Sequence, residues 1–180
     1  TINGGTGGAM TVAMGATSKN VSVNSGTGSG AVTVDLNSAS TSSVTTAYTG
    51  TVAQTVAVNN IATAASVTVA KTGTATSATT INLDGTTAAT DTASVSAAGI
   101  ITFDSDTAQP VEILTLSGNG AAATYNLDAG AQPLSVTMSG SQSVTYKATS
   151  AQALNHTTGI TDSTTGSAVS TVQFSSAAAT

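Results

Sequence analysis

Few residues of this chain could do chemistry, and most of them are aspartates. Asp104-Ser105-Asp106 sets two carboxylates two positions apart directly after a strand, and Asp84 and Asp91 flank another loop. Calcium takes about six to eight hard oxygen donors, supplied by carboxylates, carbonyls and water on turns. Asp84, Asp91, Asp104 and Asp106 are therefore the candidate metal ligands, and calcium is the candidate cofactor. The plainer reading is that aspartate favours turns because its side chain bonds nearby backbone. It applies with more force to Asp35 and Asp128, which end or follow strands.

His156 is the only histidine. A hydrolytic triad would need it beside a nucleophile and an orienting acid. Asp162 is nearby and serines abound, but no Gly-x-Ser-x-Gly occurs, and Gly26-Thr27-Gly28-Ser29-Gly30 lacks the Lys-Ser/Thr ending of a phosphate loop. Paired carboxylates can hydrolyse glycosides, yet Tyr48, Tyr125 and Tyr146 are the only tyrosines and basic residues are scarce. The expectation is that the chain is not an enzyme. Asn20-Val21-Ser22 and Asn155-His156-Thr157 fit the N-glycosylation pattern, which arises by chance in a Thr-rich chain.

The elements that would position these groups must be built from small residues. Aromatics make up 3% of the 180 residues and Trp is absent, so Val, Ala, Ile, Leu and Thr methyls must fill the interior. Such residues favour extended backbone and a narrow core. Three lysines against eight carboxylates leave a net charge of -5. Lys19, Lys71 and Lys147 are too scattered to neutralise phosphates, which argues against nucleic acid. About a third of the residues are Ser or Thr, as in a disordered stalk, but low charge and regular valines oppose that reading. There is no cysteine to make a disulfide. No apolar run reaches the roughly 20 residues that span a bilayer, so membrane insertion is not expected. Starting at Thr1 and ending on Ala177-Ala178-Ala179-Thr180, the chain reads as a piece of something larger.

Short alternating runs recur throughout: Met10–Met14, Asn20–Asn24, Ala31–Leu36, Ser43–Thr45, Thr51–Val58, Ser66–Ala70 and Thr79–Leu83, then Gly99–Phe103, Val111–Leu116, Ala123–Leu127, Pro133–Met138, Ser143–Lys147 and Ala168–Phe174. Their early centres, Val12, Val23, Val34, Val44, Val56, Val67 and Ile81, fall roughly eleven residues apart. The spacing predicts an all-β parallel β-helix, a solenoid with two or three short strands per coil. The alternative is an antiparallel β-sandwich, which uses similar spacing. Hairpin dipeptides of the kind sandwiches favour, such as Asp84-Gly85, are scarce. Residues 1–84 form a small-residue repeat region. Residues 85–180, where both prolines and both phenylalanines fall, form a second β region with Asp-bearing loops, possible as a continuation of the first. Ice binding would need a flat ladder of Thr-x-Thr pairs. Thr72-Gly73-Thr74-Ala75-Thr76 has that character, but such pairs show no fixed coil period in the sequence.

Gln109-Pro110-Val111-Glu112-Ile113-Leu114-Thr115-Leu116-Ser117-Gly118-Asn119-Gly120 resembles a recurring segment of secreted, RTX-related surface-layer (S-layer) proteins of Gram-negative bacteria, and the flanking Thr/Ala/Val/Gly strands are similar in style. The resemblance implies an extracellular, cell-surface subunit of a two-dimensional coat, exported by a type I pathway and assembled with calcium. Its partners would be copies of itself in a lattice or filament and, through another region, cell-surface polysaccharide. Gly4-Gly5-Thr6-Gly7-Gly8 begins like the family's calcium nonapeptide, but no aspartate follows. The alternative function is a repeat module of a large secreted adhesin or phage fibre.

Overall fold

The fold is given by a computed structural model that describes residues 2–3, 9–14, 20–26, 31–35, 42–48, 53–61, 64–71, 79–86, 91–104, 111–127 and 133–175. Fourteen strands are β1 (Ile2–Asn3), β2 (Met10–Ala13), β3 (Asn20–Gly26), β4 (Val32–Asp35), β5 (Ser42–Tyr48), β6 (Gln54–Asn59), β7 (Ala64–Lys71), β8 (Thr79–Leu83), β9 (Thr92–Asp104), β10 (Ile113–Leu127), β11 (Ser135–Gly140), β12 (Val144–Thr149), β13 (Gly159–Thr164) and β14 (Ser170–Ser175). One helical turn, α1 (Ser150–Ala153), interrupts them.

Every strand pairing is parallel. The pairings make two ladders. Ladder one stacks β1, β3, β5, β7, the first half of β9, the first half of β10, β11 and β13; ladder two stacks β2, β4, β6, β8, the second halves of β9 and β10, β12 and β14. The chain is a parallel β-solenoid with two strands per coil, and the antiparallel sandwich is excluded. Register partners lie from 21 residues apart (Val95 and Leu116) to 28 (Val67 and Val95), so the eleven-residue period is half a coil. Both β7 and β8 pair with β9, which carries both ladders past residue 84.

Strand alternation dictates the core. Residues at i and i+2 point to one face, and stacking the coils lines like positions into columns. Val32, Val56, Ile81, Phe103 and Leu127 form one column of ladder two, all of them buried. Thr79, Ile101, Tyr125 and Tyr146 form another. In ladder one Val95, Leu116 and Met138 stack in one column and Ala93, Leu114 and Val136 in the next, all buried. Core side chains grow from Val to Phe and Tyr as far as Tyr146, and the last coil returns to smaller or polar residues, Val172 and Asp162, in the same columns. The Tyr125 hydroxyl crosses the interior, donating to the Ser117 carbonyl at 2.7 Å with the Val95 carbonyl 3.3 Å away.

Gly99, Gly120 and Gly140 stand at successive corners where the chain leaves ladder one for ladder two. Each has positive φ, between 71° and 92°, which glycine adopts without a side-chain clash.

Candidate functional site

Two of the sequence-predicted aspartates, Asp84 and Asp91, have described hydrogen bonds. Asp104 is the last residue of β9, and Asp106 lies outside the described residues. Asp84 is joined to the neighbouring coil through its backbone: its N–H donates to the Val58 carbonyl at 3.0 Å and its carbonyl accepts from Ile61 N–H at 3.1 Å. Asp91 is fully buried, and its Oδ2 accepts from the N–H of Thr86 at 2.5 Å and its hydroxyl at 3.2 Å. The turn-making role of aspartate is therefore realised at Asp91. Among the described residues, no three Asp, Glu, His or Cys side chains gather where they could hold one metal ion.

Glu112 had no site role in the sequence reading, yet it meets Asp91. Asp91 immediately precedes β9, Glu112 immediately precedes β10, and Thr92 pairs with Ile113, so the two acids occupy one corner column on adjacent coils. The Asp91 N–H donates to Glu112 Oε2 at 2.7 Å. Asp91 Oδ1 is buried and has no hydrogen-bond partner. The signal was a coil length of 21 residues, the separation of these two acids, which becomes visible only when the ladders are known.

His156 and Asp162 do not form a dyad. Thr149, Gln152 and α1 make a capping box: Thr149 Oγ1 accepts from Gln152 N–H and Gln152 Oε1 accepts from Thr149 N–H. This fixes the Gln152 carbonyl 2.8 Å from His156 Nδ1, which donates to it. The Nδ1–H tautomer leaves Nε2 as acceptor for the Tyr146 hydroxyl at 2.6 Å. Both ring nitrogens are thus committed. Asp162 Oδ1 instead accepts from Thr164 N–H, Thr164 Oγ1 and Ser170 Oγ at 2.7–2.8 Å, which binds β13 to β14 and holds its carboxyl below the usual carboxylate range.

Partial burial pushes the His156 pKa down from its ordinary value, outweighing the bond to Gln152, and desolvation drives the Tyr146 phenol up. An imidazolium has no acceptor nitrogen, so protonation would break the Tyr146 bond. The unfolded histidine titrates near about 6.5, above the folded one; the unfolded chain therefore binds the proton first. This contribution to stability is complete above about pH 6.5 and is lost as pH falls through that value toward the lower folded pKa. Thermal unfolding should show a lower Tm at pH 5.5 than at pH 7.5, and His156→Gln should flatten that part of the slope.

A second surface was not legible at the eleven-residue period. In the backbone register of ladder one, Asn20, Ser43, Ser66, Ser94, Thr115, Thr137 and Thr161 align in one column, and Ser22, Thr45, Thr68, Ser96, Ser117, Ser139 and Ser163 in the next. From Ser43-x-Thr45 onward each coil carries a Ser/Thr-x-Ser/Thr pair, but none is Thr-x-Thr and the coil length varies, so the Thr-x-Thr ladder of fixed period that ice binding would need is absent from these columns. Thr72–Thr76 lies outside the described residues. The pairs repeat about every 4.8 Å along the axis and stand about 6.6 Å apart along the strand. No charged residue interrupts either column.

The two ends of the ladders form a third surface. Among the described residues, β1 pairs only with β3, β2 with β4, β13 with β11 and β14 with β12. Core columns run out to these last rungs. Val172 continues the Tyr146 column and is 38% exposed, Phe174 continues the Ala148 column and is 49% exposed, and Ile2 continues the Val23 column and is 41% exposed.

Parallel coils stacked around a largely apolar interior make the chain a repeat-like parallel β-solenoid. No protein-family model, curated protein or solved structure matches the chain. No helix among the described residues is long and apolar enough to cross a membrane.

Proposed function

We propose that this chain is a structural, extracellular module whose work is to associate with copies of itself, as a surface-layer subunit or a fragment of one would. The observation that supports this reading is that core columns end on exposed apolar side chains, Ile2, Val172 and Phe174, at the outermost described rungs. An unpaired parallel edge is a template for another strand, and soluble proteins usually block such edges with charge, proline or a cap. Here the exposed Val172 and Phe174 stand where the next coil's side chains would pack. Because the first and last described rungs carry the same two ladders, their strand polarity is compatible with one copy stacking on another. Such a contact is heterologous and does not close, giving filaments or sheets. Calcium enters this reading as an ordering ion, and the cell surface as the site of assembly.

A second reading, a binding repeat of an adhesin or fibre, is supported by the hydroxyl columns. Uncharged columns that repeat coil by coil suit a partner that is itself periodic and hydroxyl-rich, such as a crystalline polysaccharide.

Light scattering and negative-stain microscopy test the first reading. The wild-type chain should form ordered assemblies as concentration rises. Val172→Lys/Phe174→Lys, which changes exposed positions only, should remain monomeric with an unchanged circular dichroism spectrum. A wild-type chain that stays monomeric with or without calcium would sink the proposal. Its depletion from solution by insoluble polysaccharide would then assign the work to the hydroxyl face.

A further inference from the structure

We propose that Asp91 and Glu112 hold a hard divalent cation of the calcium class at the corner where the chain enters ladder one. Stacking on adjacent coils puts the backbones of the two residues about 4.8 Å apart, and Glu112 Oε2 is drawn onto the Asp91 N–H at 2.7 Å. Two acids therefore share one corner. Among the described residues no basic side chain pairs with either.

Asp91 supplies the second, independent observation. Its side chain is fully buried, its Oδ2 is satisfied by Thr86, and its Oδ1 has neither water access nor a hydrogen-bond donor. A carboxylate oxygen in that state is costly unless something positive meets it. A neighbouring carboxylate makes the deficit larger. Two described backbone donors of this corner are already committed: Asp91 N–H goes to Glu112, and Ile113 N–H goes to the Asp91 carbonyl at 3.1 Å. Calcium suits two carboxylates supplemented by main-chain carbonyls and water, because it accepts irregular oxygen shells. A magnesium ion, which demands a near-regular octahedron, suits the site less.

This inference shares only its class of ion with the function proposed above and does not depend on assembly. Isothermal titration with calcium chloride, on the full chain at a concentration where it is monomeric, should give a saturable signal. Calcium should also raise Tm, whereas an equal concentration of magnesium should raise it less. Glu112→Gln and Asp91→Asn should each weaken calcium affinity at least tenfold. Without calcium, Glu112→Gln, at a half-buried position, should melt no lower than wild type, since it removes one of two like charges and keeps the shape. If wild type shows neither heat nor a Tm shift with calcium, the proposal fails. It fails equally if both variants lose stability by the same amount with and without the ion, since that marks a purely structural role. Calcium binding without assembly would leave the site standing and remove the coat reading; assembly without calcium binding would do the reverse.

Discussion

Tyr125→Ala is expected to lower the stability of the solenoid by about 3–5 kcal/mol, the range for removing a buried aromatic ring without collapse of the space it leaves. Three things make collapse difficult here. Tyr125 lies in a column between Ile101 and Tyr146, both fully buried, and parallel hydrogen bonds on each side fix its backbone. Its hydroxyl also reaches ladder one at the Ser117 carbonyl. Neighbouring coils cannot approach more closely than the ladder spacing allows, so the void persists. Tyr125→Phe separates the two contributions: it keeps the ring, loses the bond, and should cost about 1–2 kcal/mol, the usual effect of leaving a buried acceptor unmet. Urea unfolding of the two variants against wild type measures both. Equal midpoints for Tyr125→Ala and wild type would show that the tyrosine column does not hold the fold.

Gly118→Ala should be the other severe change, for a different reason. A methyl group there would clash with the Ala121 carbonyl oxygen and sit 2.6 Å from Gln142 Cβ, so the corner of β10 and the adjoining residue of the next coil must both move. Overpacking of this kind costs about 1–3 kcal/mol and more where backbone is the obstacle. Gly120, two residues on, has open space around it but a φ of 71°. Gly120→Ala should therefore cost only the strain of a left-handed residue, about 1–2 kcal/mol. Thermal melts of the pair should rank Gly118→Ala below Gly120→Ala; the opposite order would mean that the close approach at Gly118 is relieved at little cost.

The alternation of apolar and small polar residues was enough to read the strands that bury branched side chains. Thr79–Leu83 is β8, end for end, and Met10–Met14, Ser66–Ala70 and Ser143–Lys147 overlap β2, β7 and β12. The first half of β9 went unread because its inward positions, Ala93 and Ala97, carry too little apolar surface to mark a strand alone. β13 was missed because Asp162 occupies the position that Met138 fills one coil earlier, so the pattern breaks at the last rung. Thr149-x-x-Gln152 is a capping box, but a helix of one turn has no periodicity to draw the eye.

The candidate sites were less legible than the fold. A single aspartate such as Asp91 looks like a turn former, and its relation to Glu112 depends on which coil lies above which. The same holds for the hydroxyl columns: Ser94-x-Ser96 and Thr115-x-Ser117 are unremarkable apart and become one surface only through the register. Local pattern identifies strands, whereas pairing creates sites.

The coils between Ile101 and Tyr146 carry the largest core side chains. In a stack where each coil touches only its neighbours, unfolding propagates rather than occurring everywhere at once. The valine-lined coils before them, and the last coil with Asp162 and Val172 in its columns, then yield first, and a force or a protease would consume the stack from its outer described coils inward, as a fuse lit at both tips burns.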